Sequence, residues 1–455
     1  MTQVKENKMG TYPIPRLLIS MSVPIMVSML VQALYNIIDS IFVAQISAEQ
    51  LELTAVSVAF PLQNLIIAFA SGMGVGITAL ISRSLGEKKA DDAGHAAAQG
   101  ILIELFCYAI FLIIGLFFVR PFFESQTTNP AIIEYGVQYL SICCVASFGV
   151  FMQIVFEKFL QSTGKTVLSM VTQATGAVIN IILDPILIFG WFGLPAMGIR
   201  GAAIATVIGQ IFGAILAILL HFKKNKEIKI HLRDFRPDGR RIMNILAVGI
   251  PSVAMMSIGS LMTFLLNKIL FSLEKVGEVA ATVFGIYFKL QSFVLMPCIG
   301  LNNGMLPIVA YNYGARNKKR ITATIKLAIT VAICLMCVGV LIFQIMPDQL
   351  LGLFDANEGM MEIGRAALRI ISIHFIFAAF NIVMVGTFQA FGNGVFSLII
   401  SFVRQIIVLI PTAFLFSRIA SVNEIWFAFP IAEFSALILC TCFYIYLYKK
   451  KIKNL

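Results

Sequence analysis

Charged residues are scarce in this chain: they make up 13% of its 455 residues, whereas hydrophobic residues make up 59%. A soluble protein of this size needs more polar side chains to cover its surface, so the composition excludes a soluble globular protein. The apolar residues come in runs of about 20, the length that an α-helix needs to cross the hydrocarbon of a bilayer. The first run, from Leu17, is too long for a secretory signal peptide. We therefore predict an integral membrane protein.

The chain also lacks the signatures of several kinds of chemistry. No Walker phosphate loop, nucleophile elbow or histidine cluster occurs, which argues against ATP-driven transport, against an enzyme and against a cofactor. The eight cysteines lie in apolar segments, and the CxxC of Cys334 and Cys337 has no second pair, so we expect buried thiols. Gly72 and Gly76 lie in an apolar segment with no preceding strand. With Gly300 and Gly304, they indicate close helix packing instead of phosphate binding.

Twelve apolar segments predict an all-α fold with twelve transmembrane helices, numbered here as spans 1 to 12. The predicted spans are 15–44, 54–80, 97–119, 133–160, 166–189, 199–222, 243–272, 279–311, 321–346, 360–390, 395–417 and 424–448.

The net charge of +11 could indicate a nucleic-acid partner, but the distribution of the charge argues against one. Of the 34 Lys and Arg residues, 25 fall at one side of the predicted spans, including Lys5 and eight between Lys223 and Arg241. This positive-inside pattern predicts a multi-pass protein of the inner (cytoplasmic) membrane, in contact with the lipid bilayer and with both termini in the cytoplasm. The opposite loops are acidic, with Glu49, Glu52, Asp348, Asp355, Glu358 and Glu362.

The two halves of the chain repeat at an offset of 228 residues. Gly86 falls on Gly314 at this offset, and Pro24 matches Pro251 with one residue of slippage. Such a repeat indicates two six-helix bundles, related by a pseudo-two-fold axis along the membrane normal and separated by a cavity. This arrangement suits alternating access better than a pore. We predict an N-terminal lobe, a basic cytoplasmic linker and a C-terminal lobe at 1–222, 223–241 and 242–455.

Two aspartates lie deep in predicted spans of the first half, where an ionised carboxylate costs about 2.5–3.5 kcal/mol on insertion scales. Asp39 ends a polar stripe in span 1, in which Gln32, Tyr35, Asn36 and Asp39 share one helical face. Such a stripe is expected to face a bundle interior or a cavity. Asp39 is therefore a candidate functional acid.

The second acid, Asp184, lies in span 5, one turn after Asn180. Pro185 removes a backbone donor beside it and leaves a carbonyl without an intrahelical partner. A carbonyl, an amide oxygen and a carboxylate together can solvate a proton or Na⁺. Span 6 adds Thr206 and Gln210, one turn apart.

The first six predicted spans place no Lys or Arg at the depth of the two acids. We therefore expect the acids to hold a proton near neutral pH or to capture a cation. At the offset of 228, Asp39 falls on Asn267 and Asp184 on Thr412. The second half has lost both acids, so the cation chemistry is assigned to the first half.

Other polar or adaptable residues within the spans leave alternatives open. Pairing of Lys289 or Arg404 with Glu433 would neutralise the second bundle, and a role in drug binding or gating is the alternative. His374 is expected to be a satisfied polar residue. Glu157 is expected to pair locally with Lys158, and Glu104 receives no role. Met255 and Met256 could line an adaptable cavity for large apolar ligands.

These features together resemble the multidrug and toxic compound extrusion (MATE) transporters, in the bacterial branch with carboxylates in the N-terminal lobe. The motifs that carry the resemblance are QALYNIID in span 1, SRSLGEKK after span 2, NIILDPILIFG in span 5, GIRGAAIAT in span 6, and GIYFKLQSF and PIVAYNYGARNKKR in span 8.

The resemblance implies exchange of inward-moving H⁺ or Na⁺ for amphipathic, mostly cationic drugs by a monomer. It implies a cation site at Asp39, Asn180, Asp184 and Thr206. Gln32 and Tyr35 would line the drug cavity beside it. Pro24 would let span 1 bend when Asp39 is protonated. Spans 7 and 10 lack the acids of a second branch, so a second sodium site in the C-terminal lobe is not expected.

Three rival interpretations remain. An exporter or flippase of lipid-linked saccharides would need an Arg-rich cavity, whereas the first-half cavity is predicted to be acidic. A major-facilitator carrier also has six plus six helices, but the loop SRSLGEKKADD lacks the usual motif of that family. A membrane-embedded enzyme would need one of the catalytic signatures that are missing.

For the transporter interpretation, the candidate drug-contacting residues are Gln32, Tyr35, Asn36, Gln210, Met255 and Met256.

Overall fold

The computed structural model of the protein describes residues 7–47, 51–273, 276–354, 357–419, 421–453 and 455. Lys5, Glu49 and Asp355, three of the loop charges used to predict the topology, lie outside these ranges. All regular elements in the described ranges are helices. The predicted all-α fold is therefore confirmed.

Ten of the helices are long and apolar enough to cross a membrane, and two bent helix pairs bring the number of spans to twelve. Spans 1 to 6 are Ile14–Ala44, Leu51–Gly86, Ala90–Gln126, Pro130–Val145 with Phe148–Ser162, Thr166–Phe189 and Ile199–Lys224. Spans 7 to 12 are Gly239–Phe271, Gly277–Gly314, Lys318–Ile345, Glu358–Ser372 with His374–Ala390, Gly394–Ile419 and Val422–Ile452. The twelve predicted spans are confirmed, with ends displaced by a few residues.

The repeat predicted from the sequence is visible in local geometry. Spans 4 and 10 are both bent by 43° at their central break. Both begin at an asparagine N-cap: Asn129 accepts a hydrogen bond from the amide of Ala131, and Asn357 accepts one from the amide of Met360. The two caps are 228 residues apart, and a side-chain oxygen at this position satisfies an amide that the helix leaves without a partner. The corresponding helices of the two halves therefore start with the same kind of cap and bend by the same angle.

Two hydrophobic clusters form the cores of the two lobes, and each contains residues from the other half of the chain. The start of span 1, with Leu17 and Met21, packs into the core of the second half. The start of span 7, with Ile245 and Val253, packs into the core of the first half. Spans 1 and 7 thus bridge the lobes at their N-terminal ends.

Glycines allow the lobes to approach closely at the end of the bundle that carries the termini. A Cβ at Gly76 would lie 2.3 Å from the carbonyl oxygen of Ile245, and one at Gly304 would lie 2.4 Å from Oγ of Ser22. Gly72 and Gly300 meet the opposite lobe in the same way. The predicted role of these glycines in helix packing is confirmed, and the packing joins the two lobes.

The segment between the lobes is folded against the first half. Span 6 ends at Lys224, a short 3₁₀ turn covers Leu232–Phe235, and span 7 begins at Gly239. The side chain of Gln99 in span 3 donates to the carbonyls of Asp234 and Arg236 at 2.8 and 2.9 Å. These contacts order the segment that the sequence marks only as a basic linker.

Candidate ion and substrate site

The two aspartates of the first half are both buried. Asp184 is 0% exposed, and Asp39 is 8% exposed. Asp39 lies close enough to Asp184 for an electrostatic interaction between the two carboxyl groups. The structure thus brings the acids of spans 1 and 5 into one region.

An amide and a hydroxyl group surround Asp184. Asn180 Nδ2 donates to Asp184 Oδ1 at 3.3 Å and lies 3.4 Å from Oγ1 of Thr206 in span 6. The turn between spans 5 and 6 is held by two backbone bonds, from the amide of Met197 to Leu187 and from that of Gly198 to Ile188. These bonds fix the start of span 6 against the last turn of span 5, which follows the acid.

Several oxygens of this cluster have no hydrogen-bond partner in the described part of the chain. They are Asp39 Oδ1, Asp184 Oδ2 and Asn180 Oδ1, all buried. A buried oxygen without a donor is costly, so three in one cluster suit a proton or a hard cation. The donor set of carboxylate, amide and hydroxyl oxygens fits Na⁺. No group of three or more His, Cys, Asp or Glu that could hold another metal occurs among the described residues.

Neither acid forms an ion pair within the ranges that the structure describes. The ion pairs there join other residues, for example Arg120 with Glu134 and Arg404 with Glu433. A buried carboxylate without a basic neighbour must take its positive charge from elsewhere or be protonated.

A narrow cavity of about 160 Å³ lies beside the cluster in the N-terminal lobe. Of the predicted drug-contacting residues, Gln32, Tyr35 and Gln210 line it, together with Asn180 and Thr206. Asp39 and Asp184 are not among the residues that line it. Its volume is below the roughly 300–1,000 Å³ of drug-sized pockets, so it suits an ion and water better than a drug.

Asn36 and Pro24, two further residues of span 1, do not line the narrow cavity. Asn36 is exposed and is also absent from the lining of a larger cavity between the lobes. Pro24 is buried inside span 1, which runs as one helix through it. Its carbonyl accepts a hydrogen bond from Ser28 Oγ at 3.0 Å.

A larger cavity of about 470 Å³ lies between the lobes and extends into the C-terminal one. Met255 and Met256 line it, as do Met29 and Met262. Methionine side chains adapt to ligands of different shape. The two cavities are adjacent, because six residues line both: Met29, Gln32, Ile67, Ser71, Lys158 and Asn303.

The structure shows which of the two cations of the second half, Lys289 or Arg404, pairs with Glu433. Arg404 Nη1 donates to both carboxylate oxygens of Glu433, at 3.0 and 3.2 Å. Lys289 instead lies over the ring of Phe354, 5.8 Å from its centroid. Arg404 is therefore the residue that pairs with Glu433. His374 is buried, with Nδ1 2.6 Å from the carbonyl oxygen of Ile371.

The expected local pair of Glu157 and Lys158 does not form. Glu157 Oε1 accepts hydrogen bonds from Gln153 at 3.0 Å and Thr172 at 2.9 Å, while Lys158 donates to Gln161 at 3.2 Å. Consecutive residues of a helix point in different directions, so the two side chains form no direct ion pair, although Lys158 acts on Glu157 electrostatically.

Two polar residues that sequence reasoning missed line the cavities at related positions. Gln153 lines the narrow cavity and bonds to Glu157, and Asn381 lines the larger one and donates to Glu433 at 3.0 Å. They are 228 residues apart. Polar residues recurring at the repeat offset within spans were the signal that could have identified them.

Comparison with known families gives a match to each half of the chain. The family model described as MatE matches residues 24–186 and 251–415. The two segments start 227 residues apart (251 − 24) and end 229 apart (415 − 186), in agreement with the repeat.

Curated relatives match nearly the full length. The multidrug export protein MepA of Staphylococcus haemolyticus is 26% identical over 412 residues, covering 90% of this chain and 89% of that protein. The MepA protein of Staphylococcus aureus is 24% identical over 441 residues, covering 97% and 95%.

Solved structures share the fold. A crystal structure of MATE in complex with MaL6 has a TM-score of 0.91 and 25% identity, with 100% of both chains covered. A multidrug resistance MATE family transporter of the MOP superfamily, in an outward-facing conformation, has a TM-score of 0.92 and 24% identity, with 100% of both chains covered. The twelve-span, two-lobe architecture is therefore shared with MATE transporters.

Proposed function

Since this chain belongs to the MatE family of membrane transporters, we propose that it is a secondary active multidrug exporter that works by alternating access. It would exchange H⁺ or Na⁺ for amphipathic, mostly cationic drugs as a monomer, without a catalytic step. The relatives named as multidrug export proteins support the substrate class.

The observation that carries the coupling proposal is the pair of buried, unpaired acids beside Asn180 and Thr206. A cation bound at Asp39 and Asp184 would satisfy oxygens that otherwise lack partners. One charge moving inward through about 100 mV supplies about 2.3 kcal/mol, and a tenfold cation gradient adds about 1.4. Together these could sustain a drug gradient of about several hundredfold per charge if the drug's own charge is ignored.

The glycine contacts support a direction for the resting state. Gly72 and Gly76 in span 2 meet span 7, and Gly300 and Gly304 in span 8 meet span 1, all in the half of the bundle that carries the termini. If the termini are cytoplasmic, as the positive-inside pattern predicts, the larger cavity is closed towards the cytoplasm. Cation uptake at Asp39, with bending of span 1 at Pro24, would then close the outside and open the inside.

The alternative of a lipid-linked saccharide exporter is less well supported. A pyrophosphate group needs several cationic side chains. Among the described residues, the larger cavity offers Lys158 and Arg404, and Arg404 already pairs with Glu433.

The test is uptake of a fluorescent cationic dye into inside-out proteoliposomes under pH and sodium gradients imposed separately. We expect Asp39→Asn and Asp184→Asn to lose gradient-driven transport. Glu134→Gln, which changes an exposed carboxylate that pairs with Arg120, is the matched control and should transport normally. Gradient-driven transport that persists in both aspartate variants would remove the proposed site.

A further inference from the structure

The larger cavity contains a cationic group whose hydrogen-bonding capacity is only partly used. Arg404 lines this cavity, and its side chain is 27% exposed. It lies at the start of a π-helical stretch, Val403–Leu409, in span 11. Such wide turns occur frequently at functional sites. The position alone makes Arg404 accessible to a bound ligand.

Only one nitrogen of the Arg404 guanidinium group bonds to Glu433. Nη1 donates to both carboxylate oxygens, whereas Nε and Nη2 donate to no residue in the described ranges. A guanidinium group has five N–H donors, and its flat edge matches a carboxylate. Glu433 is also held by Asn381 Nδ2, which donates to both its backbone carbonyl and Oε1 at 3.0 Å. The acid is thus fixed, and Arg404 keeps donors for a second anion.

The two residues of this ion pair have counterparts in the first lobe, on the spans that carry the cation site. At the offset of 228, Arg404 corresponds to Gly176 and Glu433 to Ala205, in spans 5 and 6. Those spans carry Asp184 and Thr206 in the first lobe. The first lobe therefore offers two acids that pair with no cation in the described ranges, although Lys158 lines both cavities. The second lobe offers a cation with spare donors, and the two cavities share part of their walls.

We propose that Arg404 forms an anion-binding subsite that takes the carboxylate of zwitterionic, amphipathic aromatic substrates. The aromatic part would lie against Met255, Met256 and Met262, which line the same cavity. This inference rests on the proposed function, since it requires that the cavity binds the transported compounds. It adds to that function a specific contact for the anionic group of a bound compound.

The test measures binding of two dyes to the full-length protein in nanodiscs by fluorescence anisotropy, without any ion gradient. Rhodamine 110 carries a free carboxylate, and rhodamine 123 is its methyl ester, so the pair differs only at the proposed contact. The main variant is the double substitution Arg404→Gln/Glu433→Gln, which removes both charges and leaves neither buried alone. We expect it to weaken rhodamine 110 binding at least about tenfold, while rhodamine 123 changes less than about twofold.

Two single variants keep the inference testable if the double variant does not fold. Glu433→Gln keeps an acceptor for Asn381 but frees Nη1 of Arg404, so rhodamine 110 should bind about threefold more tightly. Arg404→Lys keeps the charge but loses the flat edge, so rhodamine 110 should bind more weakly while rhodamine 123 is unchanged. Equal effects on both dyes, or none, would show that the pair is purely structural and overturn the subsite.

The outcome also separates this inference from the proposed function. Wild-type protein that binds rhodamine 123 but not rhodamine 110 would refute the subsite and leave the exporter of cationic drugs intact. Wild-type protein that binds neither dye would count against the drug cavity itself. Coupling of transport to an ion gradient is tested in a separate assay. Asp39→Asn and Asp184→Asn are assayed for transport under imposed gradients, whereas dye binding is measured without a gradient.

Discussion

Thr166 Oγ1, at the start of span 5, donates a hydrogen bond to the backbone carbonyl of Ser20 in span 1, at 3.1 Å. This carbonyl is the one that would bond to the amide of residue 24 in a regular helix. Residue 24 is Pro24, which has no amide hydrogen. Thr166 therefore satisfies the acceptor that the proline leaves without a partner, and ties span 5 to span 1 close to the proposed hinge.

Replacing Thr166 with Val should destabilise the protein, because the carbonyl of the half-buried Ser20 would be left without a donor. The expected loss is about 1–3 kcal/mol, measured as a lower melting temperature of the purified protein. Thr166→Ser keeps the hydroxyl group and should lose much less.

A double-mutant cycle with Pro24→Ala identifies the cause of that loss. Alanine restores an amide at position 24, so Ser20 regains a helical partner. The cost of Thr166→Val should then shrink in the Pro24→Ala background. An equal cost in both backgrounds would mean that Thr166 stabilises the protein in some other way.

The second lobe meets the same proline problem differently. Its counterpart of Thr166 is Gly394, where a Cβ would lie 2.8 Å from the carbonyl oxygen of Ala247, four residues before Pro251. The two lobes thus use the same positions, with a hydroxyl donor in one and close backbone contact in the other. The lobes need not bend alike at their prolines.

Gly304→Ala should weaken closure of the lobes at the end that carries the termini. Its Cβ would lie 2.4 Å from Ser22 Oγ and 2.7 Å from Ser22 Cα, so span 8 must move away from span 1. Such overpacking costs about 1–3 kcal/mol. Spin labels at the exposed Lys89 and Lys319, in a variant without native cysteines, should report a longer distance.

Gly285→Ala is the matched control for that experiment. Gly285 lies in the same span, and a Cβ there would meet nothing within 4 Å. The label distance should stay at the wild-type value in this variant. A shift of similar size in both variants would mean that the loss of helix flexibility, and not the contact with Ser22, moves the lobes.

Much of the fold could be predicted because its signals can be read directly along the chain. Runs of apolar residues gave the spans, and the 228-residue repeat gave two lobes and the glycines between them. It was harder to predict which residues of the polar stripe in span 1 face a cavity, because the stripe covers about 100° of the helix at 3.6 residues per turn. Tyr35 and Asn36 lie at its opposite edges, and the structure places Tyr35 on a cavity wall but leaves Asn36 exposed.

Pairing across spans could not be predicted because it depends on how each helix is rotated. The sequence left Lys289 and Arg404 as equal candidates for Glu433, and only the packed bundle selects Arg404. Glu104 is a similar case, since nothing in its apolar segment indicates what surrounds it. Distances between helices are set by side-chain packing, which a single sequence does not reveal.

Glu104→Met should leave the protein at least as stable as the wild type, and we expect a higher melting temperature. Glu104 is 0% exposed, and neither carboxyl oxygen has a hydrogen-bond partner in the described part of the chain. A buried polar group in that situation costs about 1–3 kcal/mol, and methionine fills a similar volume without it.

Glu104→Gln removes the charge at this position but keeps the shape of the side chain. Lys158 is the cation that acts on Glu104 electrostatically. If Lys158 depends on that charge, both variants should melt at a lower temperature than the wild type. A clear drop in both would therefore contradict the prediction and identify Glu104 as the counter-charge of Lys158.

Gln99→Leu should release the segment between the lobes from span 3. The side chain of Gln99 donates to the carbonyls of Asp234 and Arg236, and its Oε1 accepts from the amide of Asp238 at 3.1 Å. Loss of these bonds, at about 1 kcal/mol each, should speed trypsin cleavage after the exposed Lys229 at least about tenfold. Gln138→Leu, at a side chain that donates to Glu134, is the control and should be cut at the wild-type rate. Unchanged cleavage in Gln99→Leu would mean that other contacts, such as the His95–Asp234 pair at 2.9 Å, hold the segment instead.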